Sequence, residues 1–207
     1  MVENFFICIG RQLGSGGRQI GEKLSGELDI SFYDKELIEI ASKQSGLGRE
    51  FFEEADEKAR HSLLGGLFGW RSSFDEIYIN DYLRYETLFK IQSDVIRQLA
   101  DRGSCIFVGR CADYVLRENP HCLNIFICAD LKDRVKRVAG LHKLSEEKAC
   151  DLIKKTDKKR ADYYNYYSNK VWGAAESYHL CVNSSVLGID GTAAFIRRFA
   201  VQKLGLP

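Results

Sequence analysis

Five short apolar runs, separated by longer segments with helical periodicity, dominate the hydrophobic pattern of this chain. The runs occupy residues 5–9, 30–33, 105–108, 123–128 and 179–182. They are rich in Ile, Val, Phe and Cys and show no polar alternation, which is typical of parallel strands covered on both faces. The pattern therefore predicts a five-stranded parallel β-sheet.

The segments between these runs repeat their apolar residues every three or four positions. Ile20, Leu24 and Leu28 predict a helix shortly after the first strand. Further helices are predicted at residues 74–100, after Asp130, after Ser145 and at residues 192–204. Strands that alternate with helices predict a doubly wound α/β fold with right-handed crossovers.

Two segments interrupt this alternation. Residues from about 49 to about 85 contain no strand candidate, and residues from about 141 to about 173 are helical in pattern and rich in Lys, Arg and Tyr. Insertions of this kind on a core sheet often serve as lids. We therefore interpret residues 1–207 as a single domain with a helical insertion and a lid.

Composition narrows the possible partners. The chain of 207 residues carries 30 basic and 29 acidic side chains, and this balance argues against a general nucleic-acid-binding role. No apolar run reaches membrane-spanning length and no secretory signal pattern opens the chain, so we expect a cytoplasmic protein without a membrane partner. The seven cysteines are expected to be reduced core thiols; the alternative, a metal site near His121, fits zinc spacings poorly.

The first strand leads into a glycine-rich segment, Gly-Arg-Gln-Leu-Gly-Ser-Gly-Gly-Arg at residues 10–18. A strand, a glycine-rich turn and a helix start form the local architecture that holds nucleotide phosphates, because backbone N–H groups and the helix dipole converge on one anion. The predicted phosphate-binding backbone belongs to Gly14, Ser15, Gly16 and Gly17. The alternative is a glycine turn that only permits close strand–helix packing.

This loop departs from the usual phosphate-loop pattern at three positions. Gly17 stands where the pattern has lysine, Arg18 stands at the hydroxyl residue, and Arg11 replaces the first glycine. The loop therefore lacks the phosphate lysine and the magnesium-binding hydroxyl, but it gains two arginines. Either Arg11 or Arg18 is expected to replace the lysine.

Three motifs together resemble the cytidylate kinase-like family. They are the loop at residues 10–18, the segment Phe-Val-Gly-Arg-Cys-Ala-Asp-Tyr at residues 107–114, and Asp-Lys-Lys-Arg at residues 157–160. The resemblance covers nearly the whole chain. It implies a P-loop nucleoside monophosphate kinase fold with a substrate-binding insertion and a lid. It also implies ATP and Mg²⁺ as cofactors and a nucleotide as substrate.

The resemblance also suggests roles for residues outside the loop. Arg110 would bind the acceptor phosphate, and Asp113 would restore the carboxylate that the family has at Cys111. Arg160 would stabilise charge on the transferred group, with Asp157 holding it or contacting the acceptor. Arg134 and Arg137, about one turn apart, are expected to face the same cleft.

Asp34 follows the second strand and has two possible roles. It would orient the acceptor or hold Mg²⁺ through water, or it would cap the next helix. No metal-ligating cluster is predicted. The family's substrate-binding arginine after this strand is Ile40 here, so the acceptor specificity of cytidylate kinases is not carried over.

Three functions are compatible with these features. The preferred one is an ATP-dependent phosphotransferase acting on a nucleoside monophosphate or similar small phosphorylated acceptor. The second is a non-catalytic nucleotide-binding regulator on a kinase scaffold. The third is a nucleic-acid binder that uses the basic, tyrosine-rich segment before residue 168. The sequence makes no prediction about oligomeric state.

Overall fold

A computed structural model describes residues 4–34, 39–40, 43 and 74–206 of the chain. Two compact units are present, one formed by residues 1–34 and 99–207 and the other by residues 35–98. The predicted insertion at residues 49–85 lies outside the described residues up to residue 73. The segment that Asp34 would cap also lies largely outside them.

The first unit is built on a five-stranded sheet in the order β2-β3-β1-β4-β5. The strands are β1 (Phe6–Arg11), β2 (Ser31–Tyr33), β3 (Cys105–Val108), β4 (Cys122–Cys128) and β5 (Leu180–Asn183). All four neighbouring pairs are parallel. The predicted sheet is confirmed, with strand ends shifted by no more than two residues.

The central strands of the sheet are more deeply buried than the edge strands. The strands β1, β3 and β4 are almost fully buried, whereas β2 and β5 are partly exposed. Cys181 on the edge strand β5 is exposed, and Cys128 and Cys150 are half-buried, so the expectation that all seven cysteines are core residues is wrong for these three. An edge strand has a neighbour on one side only, and this leaves part of its surface open to water. All seven cysteines are free thiols.

Helices alternate with these strands along the chain, and most of them begin close to the predicted positions. They are α1 (Gly17–Leu28), α2 (Phe74–Arg102), α3 (Ala112–Val115), α4 (Leu131–His142), α5 (Glu146–Ser168) and α6 (Ser184–Leu204). No helix in residues 4–34 or 74–206 has the length and apolar character needed to cross a bilayer.

One predicted helix start differs from the structure, and the residue before another helix makes a contact that was not predicted. The last helix begins at Ser184 rather than residue 192, but Gly188 interrupts it with φ 67° and ψ −178°. This conformation is essentially restricted to glycine. Asp130 stands at the N-cap of α4 without bonding the helix backbone, because its carboxylate accepts from Asn183 Nδ2 at 2.8 Å.

One face of the sheet supports the start of α1. Ile7 and Ile9 of β1 are buried with Ile20 and Leu24 of α1 and with Ile196 of α6. The close fit of α1 is visible at Gly21, where a Cβ atom would lie 2.9 Å from the Phe32 ring. This packing fixes the position of the glycine loop between β1 and α1, at the carboxyl edge of the sheet.

Candidate functional site

The glycine loop between β1 and α1 has a backbone that requires glycine at two positions. Gly14 and Gly16 both have φ 79°. A Cβ atom on Gly14 would lie 2.8 Å from the backbone oxygen of Arg134, and one on Gly16 would overlap Ile189. The loop is therefore shaped by left-handed backbone and by neighbours that leave no room for side chains.

Ser15 anchors the middle of the loop. The side chain is fully buried, and Ser15 Oγ accepts from the Gly17 amide at 3.3 Å. The Ser15 amide donates to Gln12 O at 3.2 Å, and Ser184 Oγ donates to Ser15 O at 2.6 Å. Two of the four predicted phosphate-binding amides, those of Ser15 and Gly17, are thus used within the loop.

Three arginines from α4 and α5 bind backbone carbonyls at the end of β1 and in the loop. Arg160 Nη1 donates to Arg11 O at 2.9 Å. Arg134 Nε donates to Leu13 O at 2.8 Å, and Arg137 Nη1 donates to Gly14 O. The structure therefore brings Arg134, Arg137 and Arg160 to the same segment; the spacing of Arg134 and Arg137 predicted that those two share a cleft.

Asp157 completes this contact from α5. Its Oδ1 accepts from the Leu13 amide at 2.8 Å, and its Oδ2 accepts from Arg134 Nη2. Both side chains of this ion pair are mostly buried. The expected roles of Asp157 were to hold Arg160 or to contact an acceptor. Its hydrogen bonds join it to the loop and to Arg134, and its negative charge opposes the lowering of the pKa of Arg160.

Arg11 extends from the end of β1 toward the ends of β2 and β3. Its stem lies against Gly17 and its guanidinium against Gly109. Arg11 Nη2 lies 3.2 Å from Asp34 Oδ1. Arg18 Nε approaches the other oxygen, Asp34 Oδ2, at 3.3 Å. Asp34 thus forms ion pairs with both arginines that the unusual loop introduces.

Burial and neighbouring charges lower the pKa of two arginines in this cluster of cations. Burial, followed by the nearby charge of Arg160, lowers the pKa of Arg11 to about 9. Burial also lowers the pKa of Arg160. Arg11 still carries its charge at neutral pH, and the mutual repulsion of these guanidinium groups favours binding of an anion between them.

The turn after β3 carries the predicted acceptor residue. Gly109, Arg110 and Cys111 have φ of 79°, 59° and 53° in succession. Left-handed backbone at two consecutive non-glycine residues is uncommon and concentrates at functional sites. This turn leads from β3 into α3. The Arg11 guanidinium lies against Gly109, and Arg110 is the next residue in the sequence.

Asp113 lies behind this turn and is largely buried. Its Oδ2 accepts from Tyr164 Oη of α5 at 2.7 Å. Burial raises the pKa of the Asp113 carboxyl, although the bond from Tyr164 opposes the change. Asp113 therefore ties α3 to α5.

Some contacts at the site could not be predicted from the sequence. Nothing in the sequence indicated that Ser184 would bond the loop or that Tyr164 would bond Asp113. The first pair is separated by 169 residues and the second by 51, so no local pattern connects them. The only available sequence signal for Ser184 was its position just after the predicted last strand.

The comparisons with known proteins agree with this architecture. The sequence model of the cytidylate kinase-like family matches residues 6–186, which include the loop, Arg110 and the Asp157–Arg160 segment. The chain belongs to the cytidylate kinase-like family. No protein with a curated function is significantly similar to it in sequence.

Solved structures show the same fold. An uncharacterized protein from Eubacterium ventriosum ATCC 27560 is 27% identical with a TM-score of 0.71, and the match covers 95% of this chain and 98% of that one. Shikimate kinase from Bacteroides thetaiotaomicron is 13% identical with a TM-score of 0.54, covering 94% and 97%. Shikimate kinase from Acinetobacter baumannii, solved in complex with shikimate, is 11% identical with a TM-score of 0.52, covering 96% and 93%. This family member therefore has a P-loop kinase-like fold.

Proposed function

We propose that this protein is an ATP-dependent phosphotransferase that acts on a nucleoside monophosphate or a similar small phosphorylated acceptor. The observation that carries the proposal is the convergence of arginines on a glycine loop at the carboxyl edge of a parallel sheet. Doubly wound folds bind their ligands at this edge. Phosphoryl transfer requires mainly positioning and neutralisation of charge, and arginines supply both.

The residues of the loop fit a polyphosphate. Gly14 and Gly16 lack Cβ atoms, and their amides have no hydrogen-bond acceptor among the described residues. The guanidinium groups of Arg11 and Arg18 flank the loop, and Asp34 is their shared carboxylate. An anion that entered here would meet backbone donors and two positive side chains.

The fit to Mg²⁺ is different. Within residues 4–34 and 74–206, no three His, Cys, Asp or Glu side chains converge to hold a metal ion. Asp34 is the carboxylate that Arg11 and Arg18 share, and its position suits contact with a water bound to the metal. When bound, Mg²⁺ would neutralise phosphate charge.

The remaining candidates have distinct roles in this proposal. Arg110 binds the acceptor phosphate, since it lies two residues after the end of β3, beside the cationic cluster. Arg160 and Asp157 belong to the lid-side helix α5; Arg160 orients the loop and stabilises charge on the transferred group. Asp113 supports the acceptor side through α5. The whole reaction is expected to occur in the cytoplasm, where ATP is abundant.

A coupled assay of ADP release tests the proposal. Purified protein with MgATP is offered each common nucleoside monophosphate in turn, and shikimate serves as a non-nucleotide hydroxyl acceptor. We expect ADP release above the ATP-only rate with at least one phosphorylated acceptor, and loss of that release in Arg110→Ala and Arg160→Ala. Binding of MgATP without turnover of any acceptor would contradict the proposal.

That last outcome would favour the second function, a nucleotide-binding regulator without catalysis. The specific observation behind it is that side chains of α4 and α5 already bind the loop carbonyls and the Leu13 amide. A loop fixed in this way suits retention of a nucleotide as well as its turnover. Thermal stabilisation by MgATP is expected for both functions, so ADP release is the measurement that separates them.

A further inference from the structure

We propose that the cation and the first glycine of the usual phosphate loop have changed places in this chain. Arg11 stands at the position of the glycine, and Gly17 stands at the position of the lysine. In this arrangement Arg11 is the phosphate-binding cation of the loop, and Gly17 is glycine because the stem of Arg11 fills the space of a side chain there. The inference rests on the proposed function and deepens it by choosing between Arg11 and Arg18.

The space around Gly17 carries the first step. A Cβ atom at this position would lie 2.7 Å from Arg11 Cβ and 3.2 Å from Arg11 Cγ. A contact of 2.7 Å between two Cβ atoms requires the backbone to shift, because a Cβ atom has no rotamer freedom. Position 17 therefore tolerates a side chain only when position 11 lacks one.

The backbone at Gly17 gives the second step. Gly17 begins α1 and, unlike Gly14 and Gly16, does not have a positive φ. Its conformation is open to any residue, so the backbone alone does not demand glycine here. The stem of Arg11 is what excludes a side chain.

The reach of Arg11 gives the third step. Its guanidinium lies against Gly109 at the end of β3 and bonds Asp34, which follows β2. The positive charge is thus held at the carboxyl edge of the sheet, between the glycine loop and the turn that carries Arg110. The side chain is 19% exposed, so it is enclosed yet open to a ligand.

Arg18 is a weaker candidate for the same role. Its side chain is 47% exposed, and Arg18 Nη2 pairs with Glu22 Oε1 at 3.1 Å along the surface of α1. A cation that is half in water and shared with a second carboxylate contributes less to anion binding than an enclosed one.

A stability cycle tests the steric half of the exchange without any ligand. Gly17→Ala is made in the wild type and in Arg11→Gly, the variant that removes the stem. We expect Gly17→Ala to lower Tm by about 2–10 °C in the wild type. In the Arg11→Gly background we expect no fall. Gly26→Ala is the matched control, because a Cβ atom there has nothing within 4 Å.

A binding cycle tests the chemical half, with the Kd of MgATP measured by calorimetry. Arg11→Gly and Gly17→Lys are each expected to weaken binding by about ten- to a hundredfold. The double variant Arg11→Gly/Gly17→Lys, which restores the usual pattern, should recover to within about threefold of the wild type. Gly26→Lys on the same helix controls for added charge. Arg18→Ala should weaken binding less than Arg11→Gly does.

The outcomes separate this inference from the proposed function. If the wild type binds MgATP but the double variant is no better than Arg11→Gly, the exchange is wrong while nucleotide binding stands. Equal losses of Tm from Gly17→Ala in both backgrounds also overturn it. If the wild type does not bind MgATP, the proposed function fails. The assignment of Arg11 as phosphate cation then fails with it, and the stability cycle still decides the steric relation.

Discussion

Removal of the Asp157 carboxylate is the perturbation whose cost follows most directly from the contacts at the loop. In Asp157→Ala, Arg134 loses its ion-pair partner and the Leu13 amide loses its acceptor. The side chain of Arg134 is 7% exposed and that of Asp157 is 15% exposed, so water replaces these contacts poorly. We expect a large loss of stability.

The size of the stability loss follows from the burial of the Arg134–Asp157 ion pair. Breaking one side of a buried ion pair costs about 3–5 kcal/mol, because the remaining charge is left without compensation. The remaining exposure of Asp157 places the cost at the lower end, about 3 kcal/mol. For a chain of this size each kcal/mol lowers Tm by about 2–4 °C, so the expected decrease is about 6–12 °C.

Urea denaturation followed by circular dichroism measures the change directly. Asp151→Ala is the control, since Asp151 is an exposed aspartate on the same helix α5 and the substitution has the same effect on helix propensity. Asp157→Asn keeps an acceptor for the Leu13 amide and should fall between the two. If Asp157→Ala unfolds within about 1 kcal/mol of Asp151→Ala, the contact does not hold the loop to α5 and our account of the site is wrong.

Three further predictions concern the surroundings of the loop. Because burial raises the pKa of Asp113 above its usual 3.8, the folded state binds a proton before the unfolded state does. The Tm of the wild type relative to Asp113→Asn should therefore rise as pH falls from about 7 to about 4, and a constant difference would contradict this. Ser184→Ala leaves the buried carbonyl of Ser15 without its donor and should cost about 1–3 kcal/mol in urea denaturation; a loss below about 0.5 kcal/mol would count against it. Gly21→Ala should lower Tm, although alanine normally stabilises a helix, because its Cβ would lie 2.9 Å from the ring of Phe32. An unchanged or higher Tm would show that α1 is not pressed against β2.

Local pattern was sufficient for the strands of the sheet unit and for most of its helices. Each strand is a short apolar run, and whether a run forms a strand is decided mainly by residues within a few positions of it. The bounds of β3 were predicted without error, and α1 follows from the spacing of its apolar residues. The start of α6 was missed because Gly188 interrupts the helical pattern, and the conformation of a single glycine is not visible in the sequence.

The sequence predicted which residues belong to the candidate site better than it predicted their contacts. The sequence identified Arg11, Arg18 and Arg160 as cations near a glycine loop. It predicted that Asp157 contacts Arg160 or the acceptor. In the structure the carboxylate accepts hydrogen bonds from Arg134 and from the Leu13 amide. Choosing among nearby partners depends on distances of a few tenths of an ångström, which residue spacing does not define.

The sequence by itself determined the strand–loop–helix unit, the parallel sheet and the exchange of lysine for arginine in the loop. Those features depend on residues that are close to one another along the chain. Only the tertiary structure decided that Arg11 excludes a side chain at position 17 and that helix α5 reaches back to the loop. Arg160 and Arg11 are 149 residues apart, and their contact exists only because the sheet and the packing of α4 and α5 bring the two segments together.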